Sequence, residues 1–532
     1  MGQRLLLDCT LRDGGYVNDW EFGHEKIIEI FDRLVSSGVE FIEIGFLDER
    51  RAFDINRTIM PDTASANKIF SGVDKGSSIV LGMIDYGTCG IEHLQSAEET
   101  FIDGIRVIFK EHLMYEALDF CAKVQALGYQ VFAQMVSVTT YTDDKLKEYA
   151  ALVNKVRPYA TSMVDTYGLL DEDQLMHIFS VLNEHLDTDI KLGFHAHNNF
   201  QLGFANAKTM LAANVDRDLL ADGTIYGMGK SAGNAPLELL MMYMNTHHGT
   251  NYDVAQVLEA IDTVIFDIYH KQSWGYNMFF YIASSTHCHP NYVSYLMNKR
   301  TLSVKQIIDI LHTLPADKQL MYDAKYIEQK YVSYQNIDCD DKQDVERLRS
   351  VFSNRPILLL GPGNNIHRQK SKVVKYIEDA DPIVIAVNYA PKTIKVDYVF
   401  LTKSKRYTQL RYDMSHGVNH DTEIIATSNV TKAQSDFSYV LRYGTLIDLD
   451  TEIIDNSLTM LLKAMIRAGV KQAGLAGFDG YSRSYDNYFD VSREYSFAKE
   501  KASYLNDYVK GILKELQENL SVTFVTDSRY EK

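Results

Sequence analysis

Short apolar segments alternate with amphipathic segments through the first part of the chain, up to Ile225. The apolar segments are rich in β-branched residues or end at Gly, Asp or Thr, which is typical of buried parallel strands. The segments between them, such as His24–Ser36 and Asp171–Leu186, carry apolar residues at helical spacing and are predicted to be helices. The eight predicted strands are Arg4–Asp8, Phe41–Phe46, Ser78–Ile84, Gly104–Phe109, Gln130–Val136, Thr161–Asp165, Lys191–His197 and Asp218–Ile225.

Eight βα repeats within about 250 residues are typical of a (β/α)8 TIM barrel. A doubly wound open sheet is the alternative that the same alternation allows. The pattern then changes, because residues 251–349 contain amphipathic segments and no strand alternation. Two helices are predicted at Val254–Ile268 and Val304–Leu314, and the charged segment Asp338–Arg349 is predicted to be a solvated helix or a linker.

A second alternation of strands and helices begins near residue 350 and includes a predicted helix at Asn456–Ala468. This pattern predicts an open, largely parallel, Rossmann-like sheet. We therefore divide this α/β chain into a barrel at 1–250, a helical extension and linker at 251–349, and a sheet domain at 350–532. The predicted strands of the last domain are Arg355–Leu360, Pro382–Asn388, Asp397–Thr402, Thr422–Thr427, Gln472–Phe478 and Val522–Thr526.

The charge balance narrows the range of partners. Lys and Arg total 54 and Asp and Glu total 71, which gives a formal net charge of −17. Nucleic acid and anionic membranes both require a positively charged surface, so neither is an expected partner. No apolar run is long enough to cross a bilayer. The five cysteines are widely spaced and form no CxxC motif, so we expect neither a disulfide framework nor structural zinc, and we predict a cytoplasmic protein.

Three polar motifs follow predicted strands one, seven and eight. They are the segment DCTLRDGG, the pair His195 and His197, and the segment GMGKSAGNAPLE. The carboxyl ends of all barrel strands meet at one mouth, which is where barrel active sites lie. Two histidines separated by one residue on a strand point to the same side. We therefore expect these motifs to converge on one site.

The residue types in these motifs predict a metal site. Two imidazoles and the carboxylate of Asp13 form a three-ligand set that leaves positions open for substrate and water, and Asn234 offers a further carbonyl oxygen. Mixed nitrogen and oxygen ligands without thiolate suit Mn²⁺, Fe²⁺ or Zn²⁺, with Mg²⁺ as a further choice. A histidine pair of this kind is more often incidental when it stands alone, so the prediction depends on Asp13 and Asn234 occupying matching strand ends.

The segments LDCTLRDGG, VDTYG, GFHAHNN and GMGKSAGNAPLE resemble a superfamily of metal-dependent aldolases and lyases. This superfamily groups 4-hydroxy-2-oxovalerate aldolase, hydroxymethylglutaryl-CoA lyase and isopropylmalate synthase, all of which are TIM barrels. The resemblance implies that a divalent metal, Mn²⁺ or Mg²⁺, is held by the three predicted ligands with Asn234 as a further one. It also implies that Arg12 stabilises an enolate oxygen and that Glu43 is the signature acid of strand two, or else a structural partner of Arg12.

The resemblance implies a carbon–carbon lyase that cleaves or forms a 4-hydroxy-2-oxo acid through a pyruvate enolate, with a small 2-oxo acid as its substrate. One alternative is a Claisen-type condensation of an acyl-CoA on the same barrel. Another is a non-catalytic scaffold in a nucleotide-sugar pathway. A homo-oligomer is also expected.

The chain departs from the aldolase pattern at the position of the expected base. Tyr16 stands where the bacterial aldolases have a histidine, and tyrosine is a poorer base at neutral pH because its ordinary pKa is about 10. Tyr281 and His287 have the spacing of a tyrosine–histidine pair that follows the barrel in those aldolases, and His289 is a second candidate. Two further residues predicted to line the mouth are Arg106 and Asp165, and orientation of a neighbouring strand is the alternative for Asp165.

The segment LLLGPGNN in the last domain predicts a strand that enters a glycine-rich turn. Such turns allow backbone N–H groups to approach a phosphate, so Gly361, Gly363 and Asn364 are predicted to bind a phosphorylated ligand, and a structural tight turn is the alternative. The later segment from Asp455 to Gly480 resembles bacterial domains related to motility-accessory glycosyltransferases and CMP-sialic-acid-dependent sialyltransferases. That resemblance implies a nucleotide or sugar phosphate as ligand.

Overall fold

The structure is a computed structural model that describes residues 2–299, 302–335, 339–430, 437–449, 451–494 and 496–531. Asp338, the first residue of the predicted charged segment, lies outside the described residues. The chain divides into two compact units, Met1–His287 and Cys288–Lys532. Each unit contains its own parallel sheet.

The first unit is a closed barrel of eight parallel strands. Each strand pairs in parallel with the next, and the first strand pairs with both the second and the eighth, which closes the sheet. The predicted (β/α)8 barrel is therefore confirmed and the open-sheet alternative is wrong. A two-residue strand, Ile59–Met60, pairs beside β2. The barrel strands are β1 (Arg4–Asp8), β2 (Phe41–Leu47), β3 (Ile79–Asp85), β4 (Gly104–Phe109), β5 (Gln130–Met135), β6 (Ala160–Asp165), β7 (Lys191–Ala196) and β8 (Leu219–Gly223).

The helices of this unit follow the apolar periodicity. In His24–Ser37 the side chains of Ile27, Ile30 and Leu34 are buried on one face. Glu172–His185 begins at a capping box formed by Asp171 and Gln174, which satisfies two backbone N–H groups at the helix start. The α-helices are Gly15–Asn18, His24–Ser37, Thr63–Ile69, Met114–Ala126, Asp143–Val156, Glu172–His185, Gly203–Leu211, Leu237–His247, Val254–Ala260, Phe266–Lys271 and Met278–Ser285, with a π-helical turn at Ile261–Ile265.

The barrel interior consists of an apolar layer and a polar layer above it. Phe41, Phe132 and Leu220 belong to the apolar layer and fill the barrel. Because side chains alternate along a strand, the residues two positions nearer the carboxyl end also point inward. These positions carry polar groups that are at most 3% exposed, so the polar layer lies directly beneath the mouth. Its members are Glu43, Arg106, Gln134, Ser162, His195 and Asp222.

The second unit contains an open sheet of seven parallel strands among the residues described. Its first strand lies inside the sheet; the next four strands extend to one side and the last two to the other. This confirms the predicted open parallel sheet. The strands are β9 (Ile357–Leu360), β10 (Ile383–Val387), β11 (Tyr398–Leu401), β12 (Glu423–Thr427), β13 (Tyr439–Leu441), β14 (Gln472–Ala476) and β15 (Ser521–Phe524), in the spatial order β13-β12-β11-β10-β9-β14-β15.

The helices between residues 290 and 352 are grouped with this sheet. The side-chain amide of Gln306 donates to the carbonyl of Asn429 over 3.3 Å, and Arg467 pairs with Asp341 at 2.6 Å. Whether residues 350–532 fold without these helices stays a prediction. The α-helices of the unit are Pro290–Lys299, Val304–Leu311, Ala316–Gln319, Ala324–Gln335, Lys342–Phe352, Asn365–Arg368, Lys370–Ala380, Tyr407–Ser415, Ser457–Arg467, Ser496–Glu500 and Ala502–Leu516. Within the described part of the chain, none of the helices has the length and apolar character needed to cross a membrane.

Candidate active site in the barrel mouth

Asp13, His195 and His197 come together at the carboxyl ends of β1 and β7. Their possible ligand atoms all lie within 4.8 Å of one another. Nε2 of His195 is 3.6 Å from Oδ2 of Asp13, and the two imidazole rings are nearly perpendicular with centroids 5.1 Å apart. All three side chains are buried. The structure thus brings together the three residues that the motifs predicted as metal ligands.

The protonation states of Asp13 and His197 suit metal binding. Burial raises the pKa of Asp13, but the positive charge of Arg12 outweighs it and holds that pKa well below its usual value, so the group is a carboxylate. Burial also lowers the pKa of His197 to about 3, so its ring is neutral and keeps a lone pair for a ligand bond. Metal ligands must be deprotonated in this way.

Two buried polar atoms beside this cluster have no hydrogen-bond partner among the described residues. They are the side-chain oxygen of Asn234 and Nδ1 of His197. The Asn234 amide nitrogen donates to Oδ1 of Asp13 over 2.9 Å, which turns the amide toward the cluster. An unpaired buried polar atom is costly, so native structures supply a partner. A divalent cation would satisfy both atoms, and the residues present therefore fit a metal ion.

Gly229 has no side chain, and this leaves space for the side chains of Asn234 and Asp13. A Cβ atom at this position would lie 2.2 Å from the Asn234 amide nitrogen and 2.6 Å from Oδ1 of Asp13. The backbone N–H of the next residue, Lys230, donates to the same Asp13 oxygen over 2.9 Å. The glycine loop after β8 therefore positions the Asp13 carboxylate by close backbone approach.

We expect Gly229→Ala to weaken divalent metal binding strongly while the barrel stays folded, because the added methyl group displaces Asn234 or Asp13. Metal titration of the purified variant, with circular dichroism as a check on folding, measures this effect. Gly511→Ala is the matched control, since a Cβ at Gly511 meets no atom within 4 Å. Unchanged metal affinity in Gly229→Ala would show that this loop does not shape the site.

Arg12 lies directly beside the candidate metal ligands and is 4% exposed. Its Nη1 group pairs with Asp13, and its Nε donates to Glu43 over 2.7 Å. Burial disfavours its charge, but the carboxylates of Glu43 and Asp13 raise the pKa of Arg12 well above its usual value. The guanidinium is thus a fixed cation at the mouth. Glu43 contacts Arg12 as the structural alternative predicted, and no observation here assigns it a catalytic role.

A closed ring of buried charged and polar groups, each paired with the next, connects this cluster to the polar layer. Arg106 donates to Glu43 over 3.1 Å and also pairs with Asp222, so it lies inside the barrel and does not line the mouth as predicted. Asp222 in turn accepts from Nδ1 of His195 over 2.9 Å. The members of the ring, in order, are Asp13, Arg12, Glu43, Arg106, Asp222 and His195.

Asp222 contacts the candidate site, and the sequence interpretation missed it. Its carboxylate fixes which nitrogen of His195 carries the proton, and so directs Nε2 toward Asp13. The available signal was a charged residue inside an otherwise apolar strand, two positions after Leu220 and therefore on the interior face. The carboxylate–histidine–metal arrangement is common in metalloenzymes.

Replacement of Asp222 by Asn should lower metal affinity by about 10- to 100-fold, because His195 loses the partner that orients it. The measurement is metal competition against a chelator of known affinity. Asp218→Asn is the matched control, since Asp218 forms a more exposed ion pair with Lys191 near the other end of the same strand. If both variants bound metal like the wild type, Asp222 would have no positioning role.

Tyr16 packs at the mouth, 40% exposed, with its ring centroid 4.8 Å from that of Trp20 and 6.0 Å from that of Phe46. The Nζ atom of Lys230 lies 5.3 Å from the Tyr16 ring centroid. Burial and the charge of Asp13 raise the pKa of Tyr16 to about 12. Its hydroxyl therefore stays protonated at neutral pH, so Tyr16 is suited to donate a proton or hydrogen bond rather than to act as a base.

Tyr281 and His287 are exposed, and no hydrogen bond or ion pair joins either side chain to the Asp13 cluster within residues 2–299. The helix that carries Tyr281 is attached to the mouth through Ser284, which accepts a hydrogen bond from Asn199 over 2.9 Å. Catalytic roles for Tyr281 and His287 stay predictions. His289 belongs to the second unit.

Asp165 has a structural function at the end of β6. Its two carboxylate oxygens accept from the backbone N–H groups of Leu169 and Leu170 over 2.9 and 3.0 Å. Burial raises the pKa of Asp165 to about 6. These bonds hold the loop after β6; orientation of a neighbouring strand, the alternative role for Asp165, stays a prediction.

The glycine turn of the second unit does not offer the backbone groups that were predicted. The N–H of Gly361 donates to the carbonyl of Ala476 and that of Gly363 to the carbonyl of Gly477, both over 2.8 Å. The side chain of Asn364 donates to the carbonyl of Asp486. Because the two N–H groups are already bonded across the sheet, the predicted phosphate cradle is not formed by Gly361 and Gly363, and the turn has a structural role.

Comparison with known proteins identifies the family of the barrel. Residues 4–264 match the model of the HMGL-like family. A 4-hydroxy-2-oxovalerate aldolase of Shewanella halifaxensis is 27% identical over 282 residues, which cover 50% of this chain and 79% of the relative. An oxaloacetate decarboxylase of Mycobacterium tuberculosis is 25% identical over 267 residues, or 48% of this chain and 74% of the relative.

Solved structures also match part of the chain. One is the HMG-CoA lyase of Bacillus subtilis, which is 17% identical with a TM-score of 0.41 and covers 52% of this chain and 95% of its own. The predicted resemblance to metal-dependent aldolases and lyases is confirmed by the family match and the curated relatives. The amino-terminal barrel is therefore an HMGL-like domain of the carbon–carbon lyase class.

Proposed function

We propose that the barrel is a divalent-metal-dependent aldolase that cleaves, or in reverse forms, a 4-hydroxy-2-oxo acid through a pyruvate enolate. The observation that carries the proposal is the buried guanidinium of Arg12 beside the cluster of Asp13, His195 and His197. A fixed cation next to a metal site stabilises an oxygen on which negative charge develops. Such an oxygen forms when the bond between C3 and C4 of a 2-oxo acid breaks.

The metal is proposed to be Mn²⁺ or Mg²⁺, held by Asp13, His195 and His197 with the free oxygen of Asn234 as a further ligand. When bound, such an ion would act as a Lewis acid toward the 2-oxo acid. The neutral ring of His197 and the ionised carboxylate of Asp13 are in the protonation states that this binding requires.

Arg12 is proposed to stabilise the enolate oxygen. Its Nη1 and Nε groups are fixed by Asp13 and Glu43, so the guanidinium is oriented before the substrate binds. A donor that is already oriented needs no rearrangement as the charge develops, which is the basis of oxyanion stabilisation. Glu43 is in turn held by Arg106.

Proton transfer is assigned to groups at the rim of the mouth. The raised pKa of Tyr16 keeps its hydroxyl protonated at neutral pH, so Tyr16 is proposed as a hydrogen-bond donor to the substrate. Tyr281 and His287 are proposed as the pair that exchanges protons with the 4-hydroxyl group and with the enolate carbon. An aldol cleavage needs both a base and an acid of this kind.

A second candidate is decarboxylation of oxaloacetate, because one relative of similar identity carries that name. Both reactions pass through the enolate of pyruvate, so Arg12 would serve either. Incubation of the metal-loaded protein with 4-hydroxy-2-oxovalerate or with oxaloacetate, with pyruvate detected by lactate dehydrogenase, separates them. We expect metal-dependent release of pyruvate and acetaldehyde from the hydroxy acid. Release from oxaloacetate alone would establish the decarboxylase, and release from neither would contradict the proposed function.

A further inference from the structure

A pocket lies at the carboxyl ends of four strands in the second unit: β9, β10, β11 and β14. β9 is the strand from which the chain extends in both directions across the sheet. Open parallel sheets bind ligands at this point, because the loops of neighbouring strands diverge there and leave a crevice. The residues that line the pocket include Lys403, Arg406, Ser457, Phe478, Asp479 and Arg493.

One side of the pocket contains a buried cationic donor that needs a partner. Arg493 is 7% exposed, and its Nε and Nη2 groups pair with Asp490 and Asp413. Its Nη1 group is buried and has no hydrogen-bond partner within the part of the chain that the structure describes. An unsatisfied buried donor on a charged group is costly, so this group needs a partner that the described residues do not supply.

A helix begins at the same pocket. Ser457 is the first residue of the eleven-residue helix Ser457–Arg467, and it lines the pocket together with Asn456. The Asn456 side chain caps this helix by accepting from the backbone N–H groups of Leu458 and Thr459, so the helix offers the cavity the positive end of its dipole and the Ser457 hydroxyl rather than free N–H groups. Lys403 and Arg406 add two cationic side chains to the lining. The helix start and the Arg493 donor independently indicate an anion.

The pocket also contains a group that accepts hydrogen bonds. Oδ2 of Asp479 accepts from the backbone N–H of Asn365 over 2.8 Å, while its buried Oδ1 has no partner among the residues described. Burial raises the pKa of Asp479 to about 6, so the group is still mainly a carboxylate at neutral pH. Such an oxygen is a suitable acceptor for hydroxyl groups. Aromatic side chains, among them Tyr389 and Phe478, also line the cavity and offer flat apolar surface.

We propose that this pocket binds a phosphorylated polyhydroxy compound, with the phosphate at Arg493 and the start of the Ser457 helix and a hydroxyl group at Asp479. Nucleotides and sugar phosphates both have this chemistry. The side chains, and not the backbone of the Gly361–Asn365 turn, would make the contacts. The site goes beyond the aldolase reaction and uses none of the residues of the barrel.

The test is calorimetric titration of the full-length protein with inorganic phosphate, glucose 1-phosphate, CMP and AMP. We expect at least one of the three organic phosphates to bind more tightly than inorganic phosphate. Tighter binding of glucose 1-phosphate identifies a sugar phosphate site, and tighter binding of CMP or AMP identifies a nucleotide site. Equal affinity for all four probes would overturn recognition of the hydroxyl groups, and no binding of any probe would overturn the site.

Ser457→Asp locates the binding to this pocket. An acidic residue in the first turn favours the helix, and its oxygens can accept the hydrogen bonds that Ser457 makes with Asn388 and Thr402 over 2.9 and 3.0 Å, so the unit is expected to stay folded. The new carboxylate repels a phosphate, and we expect affinity for the preferred probe to fall by roughly tenfold or more. Ser303→Asp, at the start of the helix Val304–Leu311, adds the same charge outside the pocket and should not change the affinity. Equal binding by the Ser457→Asp variant and the wild type would contradict the proposal.

Asp479→Asn distinguishes recognition of the hydroxyl group from recognition of the phosphate. The amide keeps an acceptor for the N–H of Asn365 and replaces the unpaired oxygen with a donor. We expect it to weaken binding of the organic phosphate and to leave binding of inorganic phosphate unchanged. An equal loss for both probes would show that Asp479 does not contact the hydroxyl groups.

Discussion

Replacement of Arg12 by Lys is expected to lower kcat for pyruvate release by roughly 100-fold or more, which is the effect of losing one oxyanion donor. Lysine keeps the positive charge but loses the planar group that donates to Asp13 and Glu43 at the same time. Its ammonium group cannot hold both carboxylates and also face the enolate oxygen. The measurement is steady-state cleavage of the 4-hydroxy-2-oxo acid by the metal-loaded variant.

Arg157→Lys is the control for this experiment, because Arg157 forms exposed ion pairs with Asp187 and Asp189 on the barrel surface. Exposed pairs contribute little to stability, so this variant should have wild-type activity. Metal affinity of the Arg12 variant should change far less than its kcat. A wild-type kcat in Arg12→Lys would show that Arg12 is not the group that stabilises the enolate.

The double change His195→Ala with His197→Ala is expected to abolish divalent metal binding and to reduce turnover to the background rate. Only Asp13 would remain of the three clustered ligands, and one carboxylate with an amide oxygen is a poor site for a divalent ion. The metal content of the purified protein after dialysis, measured by elemental analysis, gives the result directly. Wild-type protein treated with a chelator should lose turnover and regain it on addition of Mn²⁺ or Mg²⁺.

His177→Ala with His270→Ala is the matched control, because both histidines are exposed on the same unit and lie outside the cluster. This control should retain the metal and the activity. Full turnover by the double variant at 195 and 197, or by the wild type after verified removal of the metal, would contradict the assigned ligands.

The barrel strands could be predicted closely because their local pattern is strong. The bounds of Arg4–Asp8 and Gly104–Phe109 agree with the prediction at both ends, since each apolar run is bounded by polar residues or a glycine. The strand Tyr439–Leu441 was missed, because three residues are too few to show an alternation. The predicted helix Val254–Ile268 was continuous, and the π-helical turn at Ile261–Ile265 leaves no signal in the apolar spacing.

The polar residues of the site differ in how readily they can be predicted from the sequence. Asp13 lies in the motif that follows β1, and His195 and His197 lie in the motif that ends β7, so their meeting followed from the order of the strands. The ring through Arg106 and Asp222 joins strands that are far apart in the chain, and no spacing rule reports such a contact. A buried charge inside an apolar strand is the signal that was available for both residues.

The role of the glycine turn after β9 could not be predicted from the sequence, for a different reason. Its sequence fits both a phosphate-binding turn and a packed structural turn, because either requires a close approach of backbone atoms. A Cβ at Gly363 would lie 2.5 Å from the carbonyl oxygen of Gly477, so the approaching partner is the neighbouring loop. Only the three-dimensional arrangement could separate these two interpretations.

Exchange of the C3 protons of pyruvate with deuterated water is the measurement that tests the central claim most directly. It requires formation of the enolate and no second substrate, so it does not depend on which aldehyde the enzyme uses. We expect proton NMR to show exchange that requires the wild-type protein and Mg²⁺, stops when the metal is chelated, and is lost in the variant with alanine at 195 and 197. If the wild-type protein, shown to be folded and loaded with Mg²⁺ or Mn²⁺, leaves the C3 protons of pyruvate unexchanged, the barrel does not form a pyruvate enolate and the proposed function is wrong.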